Sequence, residues 1–124
     1  MKKIEDIEMY EIITKHNNWG NAGWVEEDQF FEDLNRFIDA NPDMNLRDYG
    51  SVLDEYSLEW SAKSIECANY EKMDGRGVMA LLVAAYRGDH MCNGYFAELL
   101  EKGLIQKWIA RLEELDSMKG EIDK

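Results

Sequence analysis

One proline, two cysteines and two histidines among 124 residues remove the material that several familiar kinds of protein need. Cys67 and Cys92 are too few for a disulfide framework and lack C-x-x-C spacing, so both are read as reduced core thiols, neither bridged nor metal-bound. A zinc site needs three or four ligands, and His90 and Cys92, in an i, i+2 relation, point to different faces of a helix. No metal and no cofactor are therefore expected. Pairing either cysteine with His16 or His90 yields no recognisable nucleophile elbow. The glycines of the Trp19–Trp24 stretch lack the following Lys-Ser or Lys-Thr of a phosphate loop. An enzyme is not supported. No apolar run approaches the ~20 residues of a membrane span, and Met1-Lys2-Lys3-Ile4-Glu5-Asp6 turns acidic before a signal-peptide core can form, so a cytoplasmic protein without membrane contact is expected. Basic residues are scarce too, 14 against 26 acidic ones for a net charge of −12. That balance disfavours direct nucleic-acid binding.

What is abundant is helix-forming. Glu, Leu, Ala, Lys, Met, Arg and Gln number 58, against 14 for Ile, Val and Thr. The expectation is an all-α, compact single-domain bundle of about five to six helices around a buried central helix, over residues 1–116, with a frayed polar tail at 117–124. Ile4, Ile7, Ile12 and Ile13 suggest a first helix ending near His16. Trp19 to Trp24, with two glycines, reads as a loop. A second helix opens on Glu26, Glu27 and Asp28 and stops at Asn41-Pro42. A third, capped by Asn45, carries Leu46, Tyr49, Val52, Leu53 and Tyr56. Residues 57–73 are open to several readings: Trp60 to Ile65 fits an extended segment, a turn or a short helix. Asp74 reads as the N-cap of a helix from Gly75 to Tyr86, whose Val78–Ala85 run is apolar on every side and so marks the buried centre. Two more helices follow, one with Met91, Cys92, Tyr95, Phe96, Leu99 and Leu100, ending at Gly103, and one from Leu104 to Leu115.

The negative charge is uneven. Residues 1–60 hold 5 basic and 15 acidic side chains and residues 61–124 hold 9 and 11. Glu26, Glu27, Asp28, Glu32, Asp33 and Asp39 crowd the second helix, and a run of this kind is ordinarily a solvated face. The sharper reading is an anionic surface for a basic protein partner, such as a nucleic-acid-binding protein whose phosphate-binding groove it would occupy. Trp19 and Trp24, flanking the loop, suit either partner anchors or hydrophobic plugs.

Ala80-Leu81-Leu82, then Arg87-Gly88-Asp89-His90-Met91-Cys92-Asn93-Gly94, then Gly103-Leu104-Ile105-Gln106-Lys107-Trp108-Ile109-Ala110-Arg111-Leu112 resemble domain of unknown function 6508, a family of small bacterial and phage proteins. The resemblance runs from Trp60-Ser61 to Leu115. Arg87, Cys92 and Gly94 match the family pattern, Asp89 is a shortened acid, and His90 and Met91 depart from it. The resemblance implies a fold and a bacterial, phage or mobile-element origin, and no reaction. Arg87, Asp89 and His90 stand where the central helix hands over to the next, and with Arg111 they would line an anion or carboxylate pocket. The competing reading makes Asp89 a cap of the following helix and Arg87 a donor to the carbonyls ending the previous one. Three functions follow: a non-enzymatic inhibitor occupying the basic groove of a nucleic-acid-handling defence protein through its acidic half, a small enzyme or ligand-binding module on Arg87, Asp89, His90 and Arg111, or a structural helical protein whose acidity only keeps it soluble.

Overall fold

The structure, a computed structural model, describes residues 10–16, 24–59, 61–92 and 94–122, with side chains for all of these except 24–27 and 117–122. Seven α-helices occupy it: α1 (Glu11–Thr14), α2 (Trp24–Ala40), α3 (Tyr49–Glu55), α4 (Ala62–Glu66), α5 (Gly75–Met91), α6 (Tyr95–Glu101) and α7 (Leu104–Ile122). Single 3₁₀ turns lie at Pro42–Met44, Leu46–Asp48 and Tyr70–Lys72. No strand occurs among the described residues, and the all-α class holds.

Helix α5 is the centre. Val78 through Ala85 are all buried, which an all-round apolar sequence requires. Helices α3, α6 and α7 pack on it, and α7 also carries α1 and α6. Trp108, Ile109 and Leu112 of α7 and Phe96 and Leu99 of α6 close the core from one side, with Phe30, Leu34 and Phe37 of α2 also buried in it.

The start of α5 shows why a buried helix opens on weak helix formers. The Asp74 side chain accepts from the Gly77 N–H at 3.0 Å, the expected N-cap. A Cβ on Gly75 would lie 1.8 Å from the Tyr10 hydroxyl oxygen, and one on Gly77 2.8 Å from the Tyr56 ring. The two glycines thus let two tyrosines lie against the helix backbone, and Tyr10 stacks on Phe37 behind them at 5.6 Å. Burial and the nearby Asp116 and Asp74 carboxylates push the Tyr10 hydroxyl up to about 12.

Several boundaries differ from the sequence expectation. Helix α5 runs on to Met91, so Arg87, Asp89 and His90 belong to its last turns and Met91 does not open α6. Asn45 adopts a left-handed backbone at φ 57°, which asparagine tolerates, and its side chain makes no cap hydrogen bond; a 3₁₀ turn precedes α3. Ser61 caps α4 by accepting from the Ser64 N–H at 3.2 Å, which makes the open stretch before Cys67 a short helix. Helix α7 continues to Ile122, correcting the frayed tail from 117: no proline stands beyond Leu115 to stop it. Gly103, at φ 78°, ends α6 as expected. Ile4, Ile7, Trp19 and Trp60 lie outside the described residues.

Cys67 and Cys92 are both exposed, not core thiols. Cys67 follows the last residue of α4 and Cys92 the last of α5.

Candidate functional site

One acid of the acidic helix departs from the solvated face that Asp28, Glu32 and Asp39 keep to. Asp33 lies on the stripe of Phe30, Leu34 and Phe37, and its carboxylate is fully buried. Its Oδ2 meets His16 Nε2 at 2.7 Å and Lys15 Nζ at 3.2 Å, with Arg36 Nη1 3.7 Å from Oδ1. Burial pushes the Asp33 carboxyl up, but the hydrogen bonds from His16 and Lys15 outweigh that and hold it below the ordinary carboxylate range. His16, itself buried, turns its ring edge onto Phe30 at 5.4 Å. Asp33 is therefore a core anchor and not a partner contact. The spacing contained the signal, since position 33 falls three residues after Phe30 and four before Phe37.

Of the other acidic positions, Asp28 is exposed, and Glu32 is exposed but engaged by Arg36 at 3.0 Å. The side chains of Trp24, Glu26 and Glu27 and all of Trp19 lie outside the described residues. Lys15, Arg36 and Arg47 are each already joined to a carboxylate, Asp33, Glu32 and Asp39 respectively. Asp28, Asp43, Asp48, Asp54 and Glu59 are exposed without a basic partner among the described residues.

The expected cluster of Arg87, Asp89, His90 and Arg111 is divided. Asp89 caps α6: its Oδ1 accepts from the Gly94 N–H at 3.2 Å and the Phe96 N–H at 3.0 Å. His90 packs edge-on against the Tyr86 ring at 4.8 Å. Arg111 Nε and Nη2 donate to the Met73 carbonyl at 3.2 and 3.1 Å, and its Nη1 pairs with Glu114. Met73 precedes α5 whereas Arg87 lies near its far end, and a 17-residue helix is about 25 Å long. Arg111 thus shares no site with Arg87.

Arg87 has other company. It borders a hollow of about 210 Å³ with Arg47, Asn35, Tyr49 and Tyr86, over an apolar floor of Ile38, Leu46 and Val83. The Asn35 amide donates to the Tyr86 hydroxyl oxygen at 3.1 Å, and Phe31 packs on the Tyr86 ring at 4.7 Å. Sequence reasoning missed Asn35, Arg47, Tyr49 and Tyr86, which come from α2, the 3₁₀ turn before α3, the start of α3 and α5. A larger hollow of about 350 Å³ between α4, α5 and α6 is lined by Ala62, Ile65, Gly88, Met91, Cys92 and Tyr95 among others and carries no charged side chain to orient a ligand.

No group of three or more histidine, cysteine, aspartate or glutamate side chains among the described residues is placed to hold a metal ion. No described helix is long and apolar enough to cross a membrane.

Fold and site together define an all-α domain wrapped on one buried helix, with a small polar hollow beside that helix's C-terminal half. The chain belongs to the family of unknown function DUF6508, which matches residues 32–118. The match starts well before the stretch that carries the resemblance in the sequence: it takes in most of α2, the turns after it and α3. All the hollow's residues fall inside it, and Glu26, Glu27 and Asp28 precede it. No curated protein and no solved structure matches the chain at a significant level.

Proposed function

We propose that the protein is a non-enzymatic interaction protein that meets a basic partner through the acidic surface of its N-terminal half, as an inhibitor occupying the phosphate-binding groove of a nucleic-acid-handling defence protein would. The observation that carries this reading is the charge imbalance at the surface. Every described cation of residues 10–59 is taken up by a carboxylate, while Asp28, Asp43, Asp48, Asp54 and Glu59 face solvent without one. Such uncompensated charge speeds encounter with a basic surface and selects against anionic ones. Asp33 drops out of the contact set because its carboxylate is inside. Glu26 and Glu27 stay in it as sequence neighbours of Asp28.

The test is capture of basic proteins from bacterial lysate with salt-graded elution. The wild type is expected to retain a defined basic partner that elutes steeply as salt rises, because screened electrostatics govern the contact. Replacing Asp28, Asp43, Asp48, Asp54 and Glu59 by their amides should abolish retention without unfolding the chain. Retention by the amide variant equal to that of the wild type would overturn the reading.

A further inference from the structure

The chain has five arginines, and four of them are joined to a carboxylate: Arg36 to Glu32, Arg47 to Asp39, Arg76 to Glu55 and Arg111 to Glu114. Arg87 has none among the described residues, in a molecule with 26 carboxylate side chains. In so acidic a chain, an exposed guanidinium that borders a hollow and pairs with no described carboxylate stands apart.

We infer that the Arg87 hollow is a binding site for a small phosphate-bearing molecule, independent of the acidic surface proposed above. Three donors border it from two elements. Arg87 supplies a planar fork from α5. Arg47, on the 3₁₀ turn before α3, supplies a second, lightly held by Asp39 in an exposed pair of the sort that contributes little on its own. Tyr86 supplies the third: its hydroxyl oxygen already accepts from Asn35, so its hydrogen is left to donate. Phe31 and His90 flank the Tyr86 ring and hold the phenol in place before any ligand arrives.

The choice of phosphate follows from the donor count. A carboxylate has two oxygens, which one arginine fork satisfies. A phosphate monoester has three free oxygens and a charge of about −1.5 to −2 at neutral pH, which suits two forks and a hydroxyl placed around it. The volume, about 210 Å³, lies below the ~300 Å³ at which pockets for drug-sized ligands begin, so the hollow holds the anion and a small attached group. Ile38, Leu46 and Val83 give that group an apolar floor.

Inorganic phosphate is the probe, titrated into the full chain while the arginine Nε–H resonances are followed by NMR, with acetate in a parallel titration. The Arg87 resonance of the wild type is expected to shift saturably with phosphate. Arg87→Gln should weaken phosphate binding about tenfold, the usual worth of a lost charged hydrogen-bonding group, with the melting temperature unchanged because the guanidinium pairs with no carboxylate among the described residues. Arg47→Gln should weaken it less, and Arg36→Gln should leave it alone. Should Arg87→Gln fail to fold, Arg87→Lys, which keeps the charge and loses the fork, and the wild-type Arg87 resonance still decide the matter. An Arg87 resonance that does not saturate, undiminished binding in the Arg87 variants, or acetate binding as tight as phosphate would each overturn the inference.

Discussion

Asp33 is one acid in a helix full of acids, yet its carboxylate is sealed from solvent and gathers His16, Lys15 and Arg36 around it. Losing one partner of a buried pair leaves the other without compensation, a cost of about 3–5 kcal/mol. Asp33→Ala is therefore expected to lower stability by about that amount in urea denaturation at pH 7, whereas Asp28→Ala, on the exposed side, should stay within about 0.5 kcal/mol. The pH dependence has a definite sign. The folded Asp33 holds its proton less tightly than the unfolded side chain, whose ordinary value is 3.8, so its contribution is complete above about pH 5 and drains away as the pH falls through 3.8 and below. The gap in stability between wild type and Asp33→Asn should accordingly narrow as acid is added. A gap that is constant from neutral pH to pH 3 would mean that the carboxylate's charge does not matter there.

At three helix starts a side chain close by in sequence satisfies the first free amides. Asp74 and Ser61 cap α5 and α4 with their own side chains. Asp89 reaches forward from the end of α5 to the first amides of α6, and so ties two helices through one carboxylate. Asp89→Ala should cost about 1 kcal/mol, and Asp89→Asn, which keeps an acceptor oxygen, clearly less. In denaturant both should move the midpoint without changing the slope. What the local pattern does not contain is why α5 begins on Gly75 and Gly77. Taken alone they weaken a helix; against Tyr10 and Tyr56 they are the only residues without a Cβ in the way. The length of α5 was equally hidden, because Arg87, Asp89 and His90 break the apolar run without breaking the helix.

For the molecule as a whole, a net charge of −12 on 124 residues means that folding brings like charges together. The described ion pairs relieve part of this, but most of them are exposed and worth little each. Added sodium chloride should therefore raise the melting temperature from low ionic strength upward, as screening shortens the reach of the repulsion. Converting Asp28, Asp43, Asp48, Asp54 and Glu59 to amides should raise the melting temperature in low salt and flatten its salt dependence. A wild-type melting temperature that falls with salt would show that the ion pairs outweigh the repulsion.

The helical class, the central position of Val78–Ala85, the stop at Pro42, the cap at Asp74 and the glycine after α6 all follow from properties of short stretches: propensity, periodicity and capping chemistry act within a few residues. The burial of Asp33 was also present in that local pattern, as a position on an apolar stripe, but its charge argued for the surface until His16 and Lys15 were brought to it. The companions of Arg87 were of another kind. Residues 35, 47 and 86 meet only because α2, the turn before α3 and α5 pack together, and periodicity tells which face of a helix is covered without telling what covers it. Packing likewise separated Arg111 from Arg87 by the length of α5, since the placement of one helix against another is set by the contacts between them and not by either sequence alone.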